Sequence, residues 1–117
     1  KIKNPTSNIP GRGMVRVRSY ERAGRLTAST ARGVRARSVI LTRGAIMDWH
    51  STQDREELLI LLTGRLRLDI QRPSSRLQSI RLSAGACAVL PQQTPHRVLN
   101  PTTVAAHYLY VTAPTGR

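Results

Sequence analysis

The stretch GAIMDWHSTQDREELLILLTG, residues 44–64, carries the reading of the whole chain. Residues 58–62 are uninterruptedly apolar, and turn signals at Gln53-Asp54-Arg55 and Thr63-Gly64 bound the segment around them. An apolar run between turns reads as a strand over residues 56–63, central and buried on both faces. A buried helix is the competing assignment, and the shortness of the run favours the strand. Residues 46–52 read as the strand before it. On an extended strand His50 and Thr52 project to one face. Glu57 follows across a tight turn, so the pair of strands can present a histidine and a carboxylate to one interior. Trp49 has the opposite parity and reads as a packing or dimer-contact residue. Glu56 should face away from Glu57. Asp48 shares the parity of His50 and is either pocket-facing or a turn or surface residue.

The same pattern runs outward in both directions. Upstream, residues 34–42 are rich in β-branched and apolar side chains, residues 24–33 are polar and turn-rich, and residues 14–20 alternate with period two like a half-buried strand. Residues 1–13, with Pro5, Pro10, Gly11 and Gly13, read as an irregular arm. Downstream, Leu66, Leu68 and Ile70 alternate with Arg65, Arg67 and Asp69. Residues 77–82, 86–90, 96–99 and 105–112 follow as further strands, separated by turn residues such as Pro73-Ser74-Ser75, Ser83-Ala84-Gly85 and the loop 91–95. About ten short strands with no long helical period predict an all-β sandwich or barrel. Residues 14–117 read as a single domain.

A chain of 117 residues, 39% of them apolar, is enough for one modest core. No apolar run is long enough to span a bilayer as a helix, and no signal segment opens the chain. The first residue, Lys1, is not Met, which leaves a processed N-terminus open. The single cysteine, Cys87, excludes an internal disulfide and thiolate metal clusters. In its apolar run it reads as a small buried core residue. Nothing requires an oxidising compartment, so a cytoplasmic location is expected.

Charge is the unusual feature. Nineteen basic residues, all Arg but Lys1 and Lys3, face six acidic ones, for a net charge of +13. That raises nucleic-acid binding as a reading. The Arg residues are dispersed, however, and several alternate with apolar residues as on a solvated strand face. One Trp, three Tyr and no Phe supply little for base stacking. The expectation is therefore non-specific attraction of polyanions at low salt and a preference for anionic small molecules.

Two spaced motifs sharpen the reading. Gly44, His50, Thr52, Glu57 and Gly64 fit the spacing G-x5-H-x-H-x(3 or 4)-E-x6-G, with Thr52 in place of the second His. Gly85, Pro91, Gln93, His96 and Asn100 fit G-x5-P-x-G-x2-H-x3-N, with Gln93 in place of Gly. In this pair of motifs the chain resembles the cupin superfamily over about residues 34–113. The resemblance implies a small jelly-roll β-barrel, often a homodimer, with a central pocket and a divalent metal held by the motif histidines and glutamate. Residue by residue, the metal site carries over to His50, Glu57 and His96. It does not carry to Thr52, whose neutral hydroxyl is a weak ligand, and Gln93 offers at most an amide oxygen.

Two histidines and one carboxylate still form a workable set. On iron(II) they leave open positions for substrate and O2, and with water they complete a zinc site. Iron, manganese, nickel and zinc all remain open. A buried Glu57 needs a partner or a proton, and a metal or an Arg would serve. Without metal, Glu57 becomes a general base with His50 or His96 as acid. Three functions follow as alternatives. The first is a metal-dependent oxygenase, isomerase or cyclase acting on a small, anionic molecule. The second is a metal-free binding or sensor module, or an acid–base isomerase or cyclase. The third is a charge-driven nucleic-acid binder. Tyr108 and Tyr110 read as core or interface residues with pocket lining as the other option, and His107 as structural.

Overall fold

In the computed structural model, which describes residues 15–74 and 76–116, every regular element is a strand. The arm expected over residues 1–13 lies outside the described residues. The strands are β1 (Gly24–Arg25), β2 (Arg35–Leu41), β3 (Ile46–Ser51), β4 (Arg55–Thr63), β5 (Arg65–Gln71), β6 (Leu77–Ser83), β7 (Cys87–Leu90), β8 (Pro95–Leu99) and β9 (Ala106–Pro114). They form two antiparallel sheets, ordered β1-β2-β9-β4-β7 and β3-β8-β5-β6. The chain passes from one sheet to the other at nearly every connection. This is the all-β jelly roll expected, built as two separately hydrogen-bonded sheets packed face to face.

Period-two alternation sorts the side chains. Val39 and Leu41, Leu59 and Leu61, Leu66 and Leu68, Leu82, Leu90, Val98, Ala106 and Tyr108 form one buried core between the sheets. β4 is paired on both edges, by β9 and β7. It is not buried on both faces, though: Glu57, Leu59 and Leu61 are buried, while Leu58, Ile60 and Leu62 are half-buried. The outer face of its sheet is only partly covered, where Tyr20 lies against Ser38 and His107. Residues 15–20 form no strand either, and Val15 and Val17 are 89% and 91% exposed. Alternation marks a surface that could be half-buried, but without a neighbour to pair with it does not make a strand.

Cys87 also departs from expectation. It lies on edge strand β7 and is exposed. Leu90 faces the core, so parity turns Val89 and Cys87 outward in alternation with their half-buried or buried neighbours. Native protein should therefore react with one equivalent of a thiol reagent such as DTNB, without denaturant. Protection of the thiol in native protein would mean that this edge is covered.

On the outer face of β5, Asp69 is fully buried beneath its neighbours. It accepts hydrogen bonds from Ser79 Oγ at 2.7 Å, Arg97 Nε at 2.8 Å and Arg67 Nε at 3.0 Å. Burial pushes its pKa up, but Ser79, Arg67 and Arg97 outweigh that and hold it down at about 2. A depressed carboxylate contributes stability that is present above the unfolded pKa and lost as pH falls through the folded one. Between pH 5 and pH 2 the wild type should lose about 2 kcal/mol through this group. Asp69→Asn should not show that loss in denaturant titrations at the two pH values.

Candidate metal centre

His50 stands on β3, Glu57 on β4 and His96 on β8, so strands of both sheets supply the cluster. On β4, Glu57 shares the core-facing parity of Leu59 and Leu61. On β8, His96 shares that of Val98. His50 reaches the interior by a different route. Met47 pairs with Val98 and His50 pairs with His96, so Asp48 and Trp49 together oppose Arg97. This β-bulge turns a three-residue separation into one shared face, a device that re-aims side chains at sites. The simple parity reading is corrected accordingly. Asp48 is exposed and does not share the face of His50. Trp49 points outward, where the Arg97 guanidinium lies 5.1 Å from its ring centroid.

One ligand atom from each of His50, Glu57 and His96 can be chosen so that all lie within 4.8 Å of one another. His96 Nε2 is 3.5 Å from Glu57 Oε2, and the two imidazole centroids are 4.2 Å apart. Each histidine is oriented by its own chain. His50 Nδ1 lies 2.8 Å from the Asp48 carbonyl and His96 Nδ1 2.9 Å from the Thr94 carbonyl. A carbonyl only accepts, so Nδ1 carries the proton in both rings and Nε2 is left as the free donor atom. His96 Nε2 is buried without a hydrogen-bond partner. Glu57 is buried, and among the described residues its one ion-pair partner is His96; no Arg reaches it.

A buried imidazole nitrogen without a partner, facing a buried carboxylate, costs free energy unless something lies between them. A divalent cation fits that description. Ligand atoms about 2.1 Å from one ion in a tetrahedral or facial arrangement lie about 3.0–3.4 Å apart, so the side chains would have to draw together around the ion. His50 is exposed and has the room to move. Burial lowers the His96 pKa, but the Glu57 carboxylate 3.5 Å away and the Thr94 carbonyl raise it above the ordinary value.

Thr52 is buried, and its hydroxyl is engaged by backbone groups. Its hydroxyl donates to the Pro91 carbonyl at 2.7 Å and accepts from the Thr94 N–H at 3.1 Å. Where a fourth ligand might have stood, the residue laces the β3–β4 turn to the β7–β8 loop, and the backbone bond from Gln93 N to Gln53 O at 2.7 Å continues the lacing. Gln93 has φ 56°, the left-handed region in which the motif's glycine would be at ease. It lines a neighbouring cavity. His107 Nε2 lies 2.6 Å from Ser38 Oγ, a structural pairing. Tyr108 is core, with its hydroxyl pKa pushed up by burial and then by Glu57 and Tyr110.

Two cavities flank the cluster. One, of about 880 Å3, is lined by Ile70, Ile80, Val89 and Pro91 among others, and Ile70 is the register partner of His96. The other, of about 380 Å3, is lined by Tyr110 and Thr112 together with several Arg, and Thr112 is the register partner of Glu57. Sequence reasoning placed Tyr110 at the pocket only as the lesser option, and it missed the Arg side chains that share this cavity. The signal was available in the parity of Arg35 and Arg37 with Val39 and Leu41.

The family model for the cupin domain matches residues 37–112. The Schizosaccharomyces pombe Cnp3 cupin domain superposes with a TM-score of 0.68 at 14% identity, covering 79% of this chain and 59% of that one. An oxalate oxidase follows at 0.66 and 21% identity, covering 70% of this chain and 42% of that one. The TT1209 protein of Thermus thermophilus matches at 0.65 and 21% identity, covering 80% of this chain and 85% of that one. At these identities the likeness is one of fold. No curated protein matches the chain.

Proposed function

This chain belongs to the cupin domain family, and on that premise we propose that it holds a divalent metal at His50, Glu57 and His96 and binds a small oxygen-bearing molecule there. The observation that carries the proposal is the His96 Nε2 atom, buried without a partner among the described residues and aimed at a buried carboxylate that no described Arg neutralises. Such a metal would supply Lewis-acid polarisation of a bound oxygen, or O2 chemistry if it is iron. The chain's own residues do the rest. The Asp48 and Thr94 carbonyls fix both tautomers, Glu57 supplies negative charge, and the lacing at Thr52 holds the strands that carry the two histidines. An enzyme of oxygenase, isomerase or cyclase type is the form we favour.

A second reading rests on the His96–Glu57 pair, whose Nε2 and Oε2 lie 3.5 Å apart. In a metal-free pocket, protonated His96 beside Glu57 is a ready acid–base pair for an isomerase or cyclase, or a polar anchor for a bound metabolite. Elemental analysis of protein purified without a nickel column or chelator separates the two. Near-stoichiometric iron, manganese, nickel or zinc supports the first. An empty site that also refuses added metal supports the second. We place the protein in a reducing compartment such as the cytoplasm, because an exposed lone thiol is vulnerable elsewhere. A homodimer fits edge strand β3, where Ile46 and Trp49 are 52% and 39% exposed. Nucleic-acid binding is expected only as salt-sensitive, sequence-independent attraction.

A further inference from the structure

The smaller cavity beside the cluster is arginine-walled. Arg25, Arg35 and Arg37 line it together with Thr27, Ser29, Tyr110 and Thr112. Strand register shows which face these residues occupy. Arg25 pairs with Arg37, Arg37 with Tyr110, and Tyr110 with Leu59, so all four side chains lie in one row on the core side of the sheet. In the next row Arg35 pairs with Thr112 and Thr112 with Glu57. Glu57 and Arg35 are two strands apart, roughly 10 Å between Cα atoms at the usual strand spacing.

Among the described residues none of the three Arg is ion-paired. That contrasts with Arg67 and Arg97 on the other sheet, which share Asp69. Arg25 and Arg37 stand directly opposite each other, a like-charge pair that destabilises a sheet unless something neutralises it. Arg37 is half-buried and makes no hydrogen bond with described residues, so none of its five donors is taken up by them. Arg35 is held in place by its Nε bond to the Ala31 carbonyl at 2.7 Å, and no described residue takes up its terminal nitrogens. Thr27 Oγ1 accepts from the Ala36 N–H at 3.2 Å and keeps its own O–H to donate. The walls thus offer cationic forks and hydroxyl donors and no described carboxylate. Guanidinium forks match the geometry of carboxylate and phosphate oxygens.

We propose that this cavity is an anion subsite, which receives a carboxylate or phosphate head of a small molecule whose other end lies at the cluster of His50, Glu57 and His96. The anion subsite stands on the cavity alone; its role in placing a ligand at the cluster rests on the metal-site reading above. The ligand is then a bifunctional small molecule, with an oxygen donor at one end and an anionic head at the other.

Calorimetric titration with inorganic phosphate at fixed ionic strength tests the subsite. The wild type is compared with Arg25→Gln/Arg37→Gln and with Arg65→Gln/Arg81→Gln, which removes the same charge from the opposite sheet. Loss of two charge-assisted contacts should weaken phosphate by on the order of tenfold or more in the first variant and little in the second. Equal weakening in both, or none in the first, overturns the subsite and reduces the effect to net charge. Arg37→Lys keeps the charge and removes the fork, and should weaken phosphate by a smaller factor. Neither Arg25 nor Arg37 has a described side-chain bond to lose, and thermal unfolding checks that the variants fold. Metal content is measured on the same samples. Phosphate binding lost in Arg25→Gln/Arg37→Gln from protein that never takes up metal sustains the subsite and sinks the metal reading. Full metal content with phosphate binding unchanged in that variant does the reverse.

Discussion

His96→Ala protein should lose metal affinity well beyond the ten- to hundredfold that loss of a mere supporting contact costs, and come through purification largely without metal. His96 is central to the cluster geometrically. It sits between Glu57 at 3.5 Å and the His50 ring at 4.2 Å, and its Nε2 is the buried atom that lacks a partner. Removing one ligand from a set of three leaves an exposed histidine and a buried carboxylate, which is too little to hold a divalent ion firmly. The fold should tolerate the change better than the metal does, because the ring's one described hydrogen bond is the local contact to the Thr94 carbonyl. Elemental analysis and thermal unfolding on the same sample separate these effects. Full metal content in the variant would remove His96 from the ligand set. Thr52→Val is the matching control. It should lose stability, by about 1 kcal/mol for a buried hydroxyl's hydrogen bonds, and keep its metal. The pH dependence has a definite sign. With His96 raised by Glu57, protons compete with metal at higher pH than for an ordinary histidine, so uptake should fall as pH drops through that raised value.

The strands and the site were legible in the sequence for different reasons. Leu66, Leu68 and Ile70 against Arg65, Arg67 and Asp69 is a period-two signal that a half-buried strand imposes directly, and β5 follows it. Residues 15–20 show the same alternation and form no strand, because pairing is a property of two segments and only one was in view. Cys87 shows the limit of composition: an apolar run on an edge strand still has an outer face, and parity counted from Leu90 decides which residues take it. Simple parity puts Asp48 on the face of His50, but a bulge at Asp48 and Trp49, which leaves no local mark in the sequence, separates them and leaves Asp48 at the surface, the other option open to it. Thr52 read as a missing ligand. Its actual work, bonding the Pro91 and Thr94 backbone, depends on a loop about forty residues away.

Gly64→Ala is expected to be the most damaging single methyl in the described chain, costing about 2–5 kcal/mol. Three motif glycines have positive φ: Gly44 at 66°, Gly64 at 85° and Gly85 at 93°. Conformation alone treats them alike, with a penalty of about 1–2 kcal/mol for an L side chain in that region. Space does not. A Cβ at Gly44 or Gly85 meets nothing within 4 Å, whereas at Gly64 it falls 2.8 Å from Ala106 Cα and 2.9 Å from the Ala105 carbonyl oxygen. Both are backbone atoms, which cannot swing aside, so overpacking of about 1–3 kcal/mol is added to the conformational cost. Gly64 is the single residue between β4 and β5, where the chain crosses from one sheet to the other. Its contact is the first residue of β9, the strand that pairs with β4 along nearly its whole length. Relief by moving β9 would disturb the ladder that also aligns Thr112 with Glu57. Urea midpoints for the three Gly→Ala variants decide the matter: Gly64→Ala should fall well below the other two, and against a total stability of about 5–15 kcal/mol that loss is a large fraction. If the three variants shift equally, φ alone accounts for the motif glycines and the close approach of β9 at Ala106 is not what Gly64 serves.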